Sequence, residues 1–151
     1  MTLENGILHE RIVLDGSVVM AWFFDDETDA YADAIESEAT KLHFWVPGHW
    51  SLEIINTVLV GIRRGRTTDQ KASNFCKAIA KYSITVDPDT SDAAWGETYR
   101  LAQLYRLSAY DAAYLELALR LKLPLATIDQ PLAKAAGLAG VSLFQPPQPT
   151  L

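Results

Sequence analysis

Arg11-Ile12-Val13-Leu14-Asp15-Gly16-Ser17-Val18-Val19 is the stretch whose reading decides the fold. Residues 11–14 form a short β-branched and aliphatic run that reads as a strand, and Asp15-Gly16 is a turn signal that stops it. An acid therefore stands at the carboxyl end of a strand. The apolar run continues to Phe24, but Asp15 and Gly16 break it, and it is too short to span a bilayer.

Outward from this strand, helix-like and strand-like segments alternate. Residues 25–39 read as a helix opened by Asp25 and Asp26, with Ala30, Tyr31, Ala34 and Ile35 on one face. Phe44-Trp45-Val46 is a second strand, stopped by Pro47-Gly48. Residues 51–64 are a strong helix in which Leu52, Ile55, Leu59 and Ile62 mark the apolar face and Gly65 the stop. Residues 68–82 follow as a helix with Ala72, Phe75, Ile79 and Ala80 inward, then a short strand over 83–86. In 91–106 the expected buried stripe is Ala94, Trp95, Thr98, Leu101, Ala102 and Tyr105. Ser108 opens the next helix, which runs to about residue 122. Leu125-Ala126-Thr127-Ile128 is a strand, Asp129-Gln130-Pro131 caps another helix, and 141–144 is a last strand. Residues 1–10 read as a loose extension, 11–144 as one domain, and 145–151, with three prolines, as a tail. The alternation predicts an α/β fold, a parallel sheet flanked by helices on both faces. In open sheets of this kind ligands sit beyond the carboxyl ends of the strands, where Asp15 and Asp129 stand.

Composition narrows the class. The chain has 151 residues, 49% of them apolar and 21% charged, the balance of one soluble globular domain. Its single cysteine, Cys76, excludes an internal disulfide and a thiolate metal cage, and a packing role is expected for it in its apolar helix. No basic flank and apolar core at the N-terminus marks a signal peptide, so a cytoplasmic protein with no membrane association is expected. The net charge of −6 argues against a nucleic-acid partner, unless some acids are gathered around cations that reverse the local sign.

Four acids invite that reading. Asp15 and Asp129 end strands; Glu53 and Asp111 lie in the first turns of helices with otherwise apolar surroundings. Asn56, three residues beyond Glu53, falls on the same helical face. If the acids converge, they form a hard oxygen donor set for Mg²⁺ or Mn²⁺, the kind of site that hydrolyses phosphodiesters without a covalent intermediate. Each also has a structural reading. Asp15-Gly16 serves as a turn, Glu53 favours a helix start, Ser108 with Asp111 fits a capping box, and Asp129 is a good N-cap. The positive helix end near Asp111 even disfavours a cation.

In order, however, these segments resemble one family. Val13-Leu14-Asp15-Gly16-Ser17-Val18-Val19, Trp50-Ser51-Leu52-Glu53-Ile54-Ile55-Asn56, Leu107-Ser108-Ala109-Tyr110-Asp111-Ala112-Ala113-Tyr114-Leu115 and Leu125-Ala126-Thr127-Ile128-Asp129-Gln130-Pro131-Leu132 are similar to the four motifs of PIN-domain nucleases. The third is very similar to that of VapC-type toxins. The resemblance implies a PIN-like parallel sheet, Mg²⁺ or Mn²⁺ as cofactor, and endonucleolytic cleavage of RNA. It implies Asp15, Glu53, Asp111 and Asp129 as metal-site acids, Ser17 and Thr127 as polar supports, and Asn56 as a partner behind them. A cognate antitoxin and a homodimer are implied as well. Gly16 stands where alanine is common, a departure expected to alter little.

Arg63, Arg64 and Arg66 are candidates for an RNA-binding rim, with Lys71, Lys77 and Lys81 on the following helix; a solvated basic helix end is the alternative. Trp22, Trp45, Trp50 and Trp95 are expected in the core, and His9, His43 and His49 lack metal-ligand spacing. Two other function classes compete with a nuclease. A phosphoacceptor domain needs a second acid beside Asp15 and a late lysine near Val141, and neither is present. A PIN-like binding module without catalysis is the other.

Overall fold

Ile12, Val13 and Leu14 are consecutive and all fully buried. Side chains alternate across a strand, so this run needs cover on both faces of its sheet. The computed structural model, which describes residues 1–4 and 6–148, provides that cover with helices. The strands are β1 (Thr2–Glu4), β2 (Ile7–Leu14), β3 (Leu42–Val46), β4 (Ile84–Val86) and β5 (Leu125–Ala126). β2 lies parallel to both β3 and β5, and β3 is parallel to β4. Only β1 is antiparallel, pairing with the start of β2.

The helices are α1 (Gly16–Phe23), α2 (Ala30–Glu38), α3 (Trp50–Arg63), α4 (Asp69–Ile79), α5 (Thr90–Ala93), α6 (Tyr99–Tyr105), α7 (Ala109–Leu121) and α8 (Gln130–Ala139). Side chains cap several of them. Asp29 accepts from the Ala32 N–H, Thr68 from Lys71, Ser108 from Asp111 and Asp129 from Leu132. α1 and α3 meet closely at Gly61, where a Cβ would lie 2.6 Å from the Phe24 ring.

Several expectations are corrected. Residues 2–4 and 7–10 are not a loose extension, because β1 pairs antiparallel with the start of β2 and β2 runs on unbroken to Leu14. Asp15-Gly16 opens a helix rather than a bare turn, and the next helix starts at Ala30 behind Asp29, not at Asp25. The last strand is reduced to a single bridge between Leu125 and Leu143. The proline-rich tail lies only partly within the described residues.

The inward face of α3 is also different. Trp50, Ile54, Val58 and Gly61 are buried, whereas Leu52 is 77% exposed and Ile55 and Leu59 are exposed too. α3 carries two apolar stripes, and tertiary packing selects the one beside α1. Trp95 is 90% exposed because residues Ala94–Thr98 form a π turn between α5 and α6. That turn shifts the helical phase by one residue and takes Trp95 off the stripe that Thr98 and Leu101 continue. Cys76 is exposed on α4, and Ala80 caps that helix in solvent.

Candidate active site

The site begins with strand register. β2 and β5 are parallel with Leu14 opposite Ala126, so the next residues, Asp15 and Thr127, emerge side by side at the carboxyl edge. The Asp15 N–H donates to the Ala126 carbonyl at 3.0 Å and keeps the two chain ends together. β3 lies on the other side of β2 and leads through Pro47-Gly48-His49 into α3, whose first turn carries Glu53. Asp111 sits in the first turn of α7, and Asp129 is the N-cap of α8. One cleft of about 190 Å³ is lined by Asp15, Glu53, Asp111 and Asp129 together with Gly16, Ser17, Met20, Ile54 and Thr57.

Hydroxyl groups hold Asp15 in a defined pose. Ser17 Oγ donates to Asp15 Oδ2 at 2.6 Å, and Thr127 Oγ1 donates to the same oxygen at 2.7 Å. The direction of both bonds is set from behind. The Ile128 N–H donates to Ser17 Oγ at 3.1 Å and the Asp129 N–H to Thr127 Oγ1 at 3.0 Å. Each hydroxyl thus has an acceptor pair occupied by backbone and turns its proton toward the carboxylate.

Glu53 has a different support. Tyr114 donates its hydroxyl to Glu53 Oε1 at 3.1 Å, and burial, aided by the Asp15 and Glu53 charges, pushes that phenol well up so that it stays a donor. His49 Nε2 lies 3.3 Å from Glu53 Oε2 without the alignment of a hydrogen bond. Gly16 is close by: a Cβ there would come within 3.0 Å of Glu53 Oε1.

The electrostatics are unbalanced. Burial pushes the Asp15 carboxyl up to about 6; its two hydroxyl partners oppose the shift, while Asp111 and Glu53 add to it. Asp111 is raised as well, by burial first and then by the charges of Asp129 and Glu53. No lysine or arginine is among the described residues lining the cleft. The donor chemistry of an acidic, oxygen-rich cleft of this kind suits a hard divalent cation, which would relieve the repulsion. Among the described residues no three acids, histidines or cysteines lie close enough together to hold a metal ion as they stand.

The cleft thus gathers the four acids and Ser17, and Thr127 joins through Asp15. Asn56 does not line it; it is exposed, and Thr57, one turn beyond Glu53, takes the inward position with its hydroxyl donating to the Glu53 carbonyl at 3.0 Å. Arg66 is committed elsewhere, with bonds of 3.1 and 2.8 Å to Asp26 and 2.8 Å to Glu27 while stacking 4.0 Å over the Phe24 ring. Arg63 and Arg64 are exposed. Sequence reasoning gave His49 no part in the site and singled out no role for Tyr114. The i, i+4 spacing of His49 and Glu53 and of Tyr110 and Tyr114 was the available signal.

Comparison with known proteins finds relatives of this fold. The family described as "PIN domain" matches residues 12–138. Ribonuclease VapC3 of Pyrobaculum aerophilum is 26% identical over 124 residues, 82% of this chain and 93% of that protein. The crystal structure of PAE2754 from Pyrobaculum aerophilum superposes with a TM-score of 0.61 at 23% identity, covering 84% of each chain. A toxin–antitoxin complex from Klebsiella pneumoniae superposes with a TM-score of 0.55 at 20% identity, covering 91% of this chain and 98% of that one.

Proposed function

Because the chain belongs to the PIN-domain family, we propose that it is a Mg²⁺- or Mn²⁺-dependent endoribonuclease acting in the cytoplasm as the toxin of a toxin–antitoxin pair. The observation that carries this reading is one cleft that contains Asp15, Glu53, Asp111 and Asp129 and has no lysine or arginine among the described residues lining it. These four would hold the metal, which when bound supplies a Lewis acid for the phosphate and a water of lowered pKa. The chain's own residues do the rest. Ser17 and Thr127 fix the Asp15 carboxylate, Tyr114 fixes Glu53, and the exposed Arg63 and Arg64 offer positive charge for the RNA backbone. The name of the Pyrobaculum relative supports the ribonuclease reading, and the Klebsiella complex supports an antitoxin as partner.

A homodimer is proposed through α3, whose uncovered Leu52, Ile55 and Leu59 form an apolar stripe that a second copy would cover. Changing Leu52 and Leu59 together to glutamate should yield a monomer by sedimentation; an unchanged coefficient rejects this surface.

The decisive assay incubates purified protein with total RNA, with and without Mn²⁺. Cleavage should need the metal, and Asp15→Asn or Asp111→Asn should lower it by about a hundred-fold or more, the size of several kcal/mol of lost charge stabilisation. Undiminished cleavage by these variants removes the proposed site. Absence of cleavage by the wild-type protein in Mn²⁺ leaves a binding module.

A further inference from the structure

The cleft that gathers the acids contains nothing on which a nucleobase can rest. Its lining is carboxylates, hydroxyls, Gly16 and the aliphatic chains of Met20 and Ile54. An aromatic ring stands immediately beside it. Tyr110 precedes Asp111 in the first turn of α7 and is 64% exposed. Its ring is not a loose surface group. His49 packs against it with centroids 5.5 Å apart and planes at 58°. His49 in turn meets the ring of Tyr114 edge-on at 5.4 Å and 75°. Tyr114 is fully buried and bonded to Glu53.

Three rings therefore form a ladder from core to solvent. The innermost is locked to a carboxylate of the site, the middle one lies against the other oxygen of the same carboxylate, and the outermost is exposed to water. Such packing fixes the outer ring relative to the reacting centre before any substrate arrives, so little side-chain freedom is lost on binding.

We propose that Tyr110, backed by His49, is the base-stacking platform of this site: a nucleotide beside the scissile phosphate lays its unpaired base on the exposed ring. Stacking on aromatic rings is how proteins hold single strands without reading their sequence, and it also offsets the poor phosphate attraction of a chain with net charge −6. A base held within a duplex offers no free face to the ring. The platform consequently favours single-stranded RNA. This inference rests on the ribonuclease reading above and adds the residue that orients the substrate.

The test compares wild-type protein with Tyr110→Ala, Tyr110→Phe and, as an exposed aromatic control, Trp95→Ala. Anisotropy in EDTA, where metal-dependent cleavage is halted, follows a fluorescein-labelled unstructured RNA oligonucleotide and the same strand annealed to its complement. Tyr110→Ala should weaken single-strand binding about ten-fold, while Tyr110→Phe and Trp95→Ala stay within about two-fold of wild type. In Mn²⁺, Tyr110→Ala should raise KM and leave kcat nearly unchanged. Tyr110→Ala binding as well as wild type overturns the proposal, and so does Tyr110→Phe losing as much, since the ring face would then not be the contact. A changed sedimentation coefficient in Tyr110→Ala also overturns it, by making the ring an interface between copies. Wild-type protein that neither binds nor cleaves RNA defeats the ribonuclease reading itself, a result distinct from cleavage that is indifferent to Tyr110.

Discussion

Among the described residues acids are buried in two places, and they are treated in opposite ways. At the end of β4, Asp87 is buried against Arg120 of α7, whose guanidinium donates to both of its carboxylate oxygens at 3.1 and 2.7 Å. The same guanidinium donates at 2.8 and 3.0 Å to Glu116, also buried and one turn back on the helix. Thr90 adds a hydroxyl to Asp87 at 2.7 Å. Burial pushes Asp87 up, but Arg120 and Thr90 outweigh it and hold the carboxyl below its usual range. In the cleft, Asp15 receives two hydroxyl bonds of similar length and no cation, and burial wins. Neutral donors do not replace a positive charge. The first cluster ties the β4–α5 connection to α7; the second is left in deficit, which the cation of the proposed function would relieve.

The contrast breaks most visibly at Arg120. Arg120→Ala strands two buried carboxylates and should cost about 3 kcal/mol in urea unfolding, the low end for a broken buried pair because 30% of the Arg120 side chain meets solvent. An unchanged midpoint would mean that the pairing contributes nothing.

Tyr114→Phe sharpens the other side. It removes the hydroxyl on Glu53 without emptying the core, so RNA cleavage should fall about ten-fold. Its melting temperature should change little. Equal cleavage by this variant would show that Glu53 needs no such support.

Asp15→Asn should move stability in the direction opposite to Arg120→Ala. In metal-free buffer at neutral pH it removes an uncompensated buried charge and should raise the melting temperature by a few degrees, on the order of 1 kcal/mol. Mn²⁺ should stabilise the wild type and not this variant. A lower melting temperature without metal contradicts the electrostatic reading.

The smallest effect is the pH dependence. With a folded-state value of about 6 against an ordinary 3.8, Asp15 retains its proton in the folded chain where the unfolded chain has lost it. Its contribution is full below the ordinary value and is lost as pH rises through about 6. Asp87, held low, works in the reverse sense and loses its contribution as pH falls through its depressed value. Subtracting the Asp15→Asn profile from the wild-type profile, both without metal, isolates the first component. A difference that is flat between about pH 4 and pH 6 would remove it.

Much of the site was legible in the chain. Asp15 and Asp129 follow strand-like runs directly, and Ser108 and Asp129 are recognisable caps, so the acids are placed by local rules of strand ends and helix starts. The helix face carrying Glu53 was not legible. Leu52, Ile55 and Leu59 repeat at helical spacing as well as Ile54 and Val58 do, and periodicity does not choose between two apolar stripes on one helix. Asn56 was placed behind Glu53 by its i, i+3 spacing and by the family resemblance, whereas Thr57 takes the inward position. Trp95 was misplaced because a π turn has no hydrophobic signature, and His49 was left outside the site because its ring partners, Tyr110 and Tyr114, lie more than sixty residues away in the chain.

Local order in the chain was enough to establish the alternation of strands and helices and the four carboxylates with their place at element ends, because capping and periodicity act within a few residues. Which stripe of α3 turns inward, that Asp15 is starved of positive charge while Asp87 is supplied with it, and that three rings line up beside Glu53 were decided only in three dimensions. Burial and charge depend on what distant segments bring to the same point, and no window along the chain contains both partners.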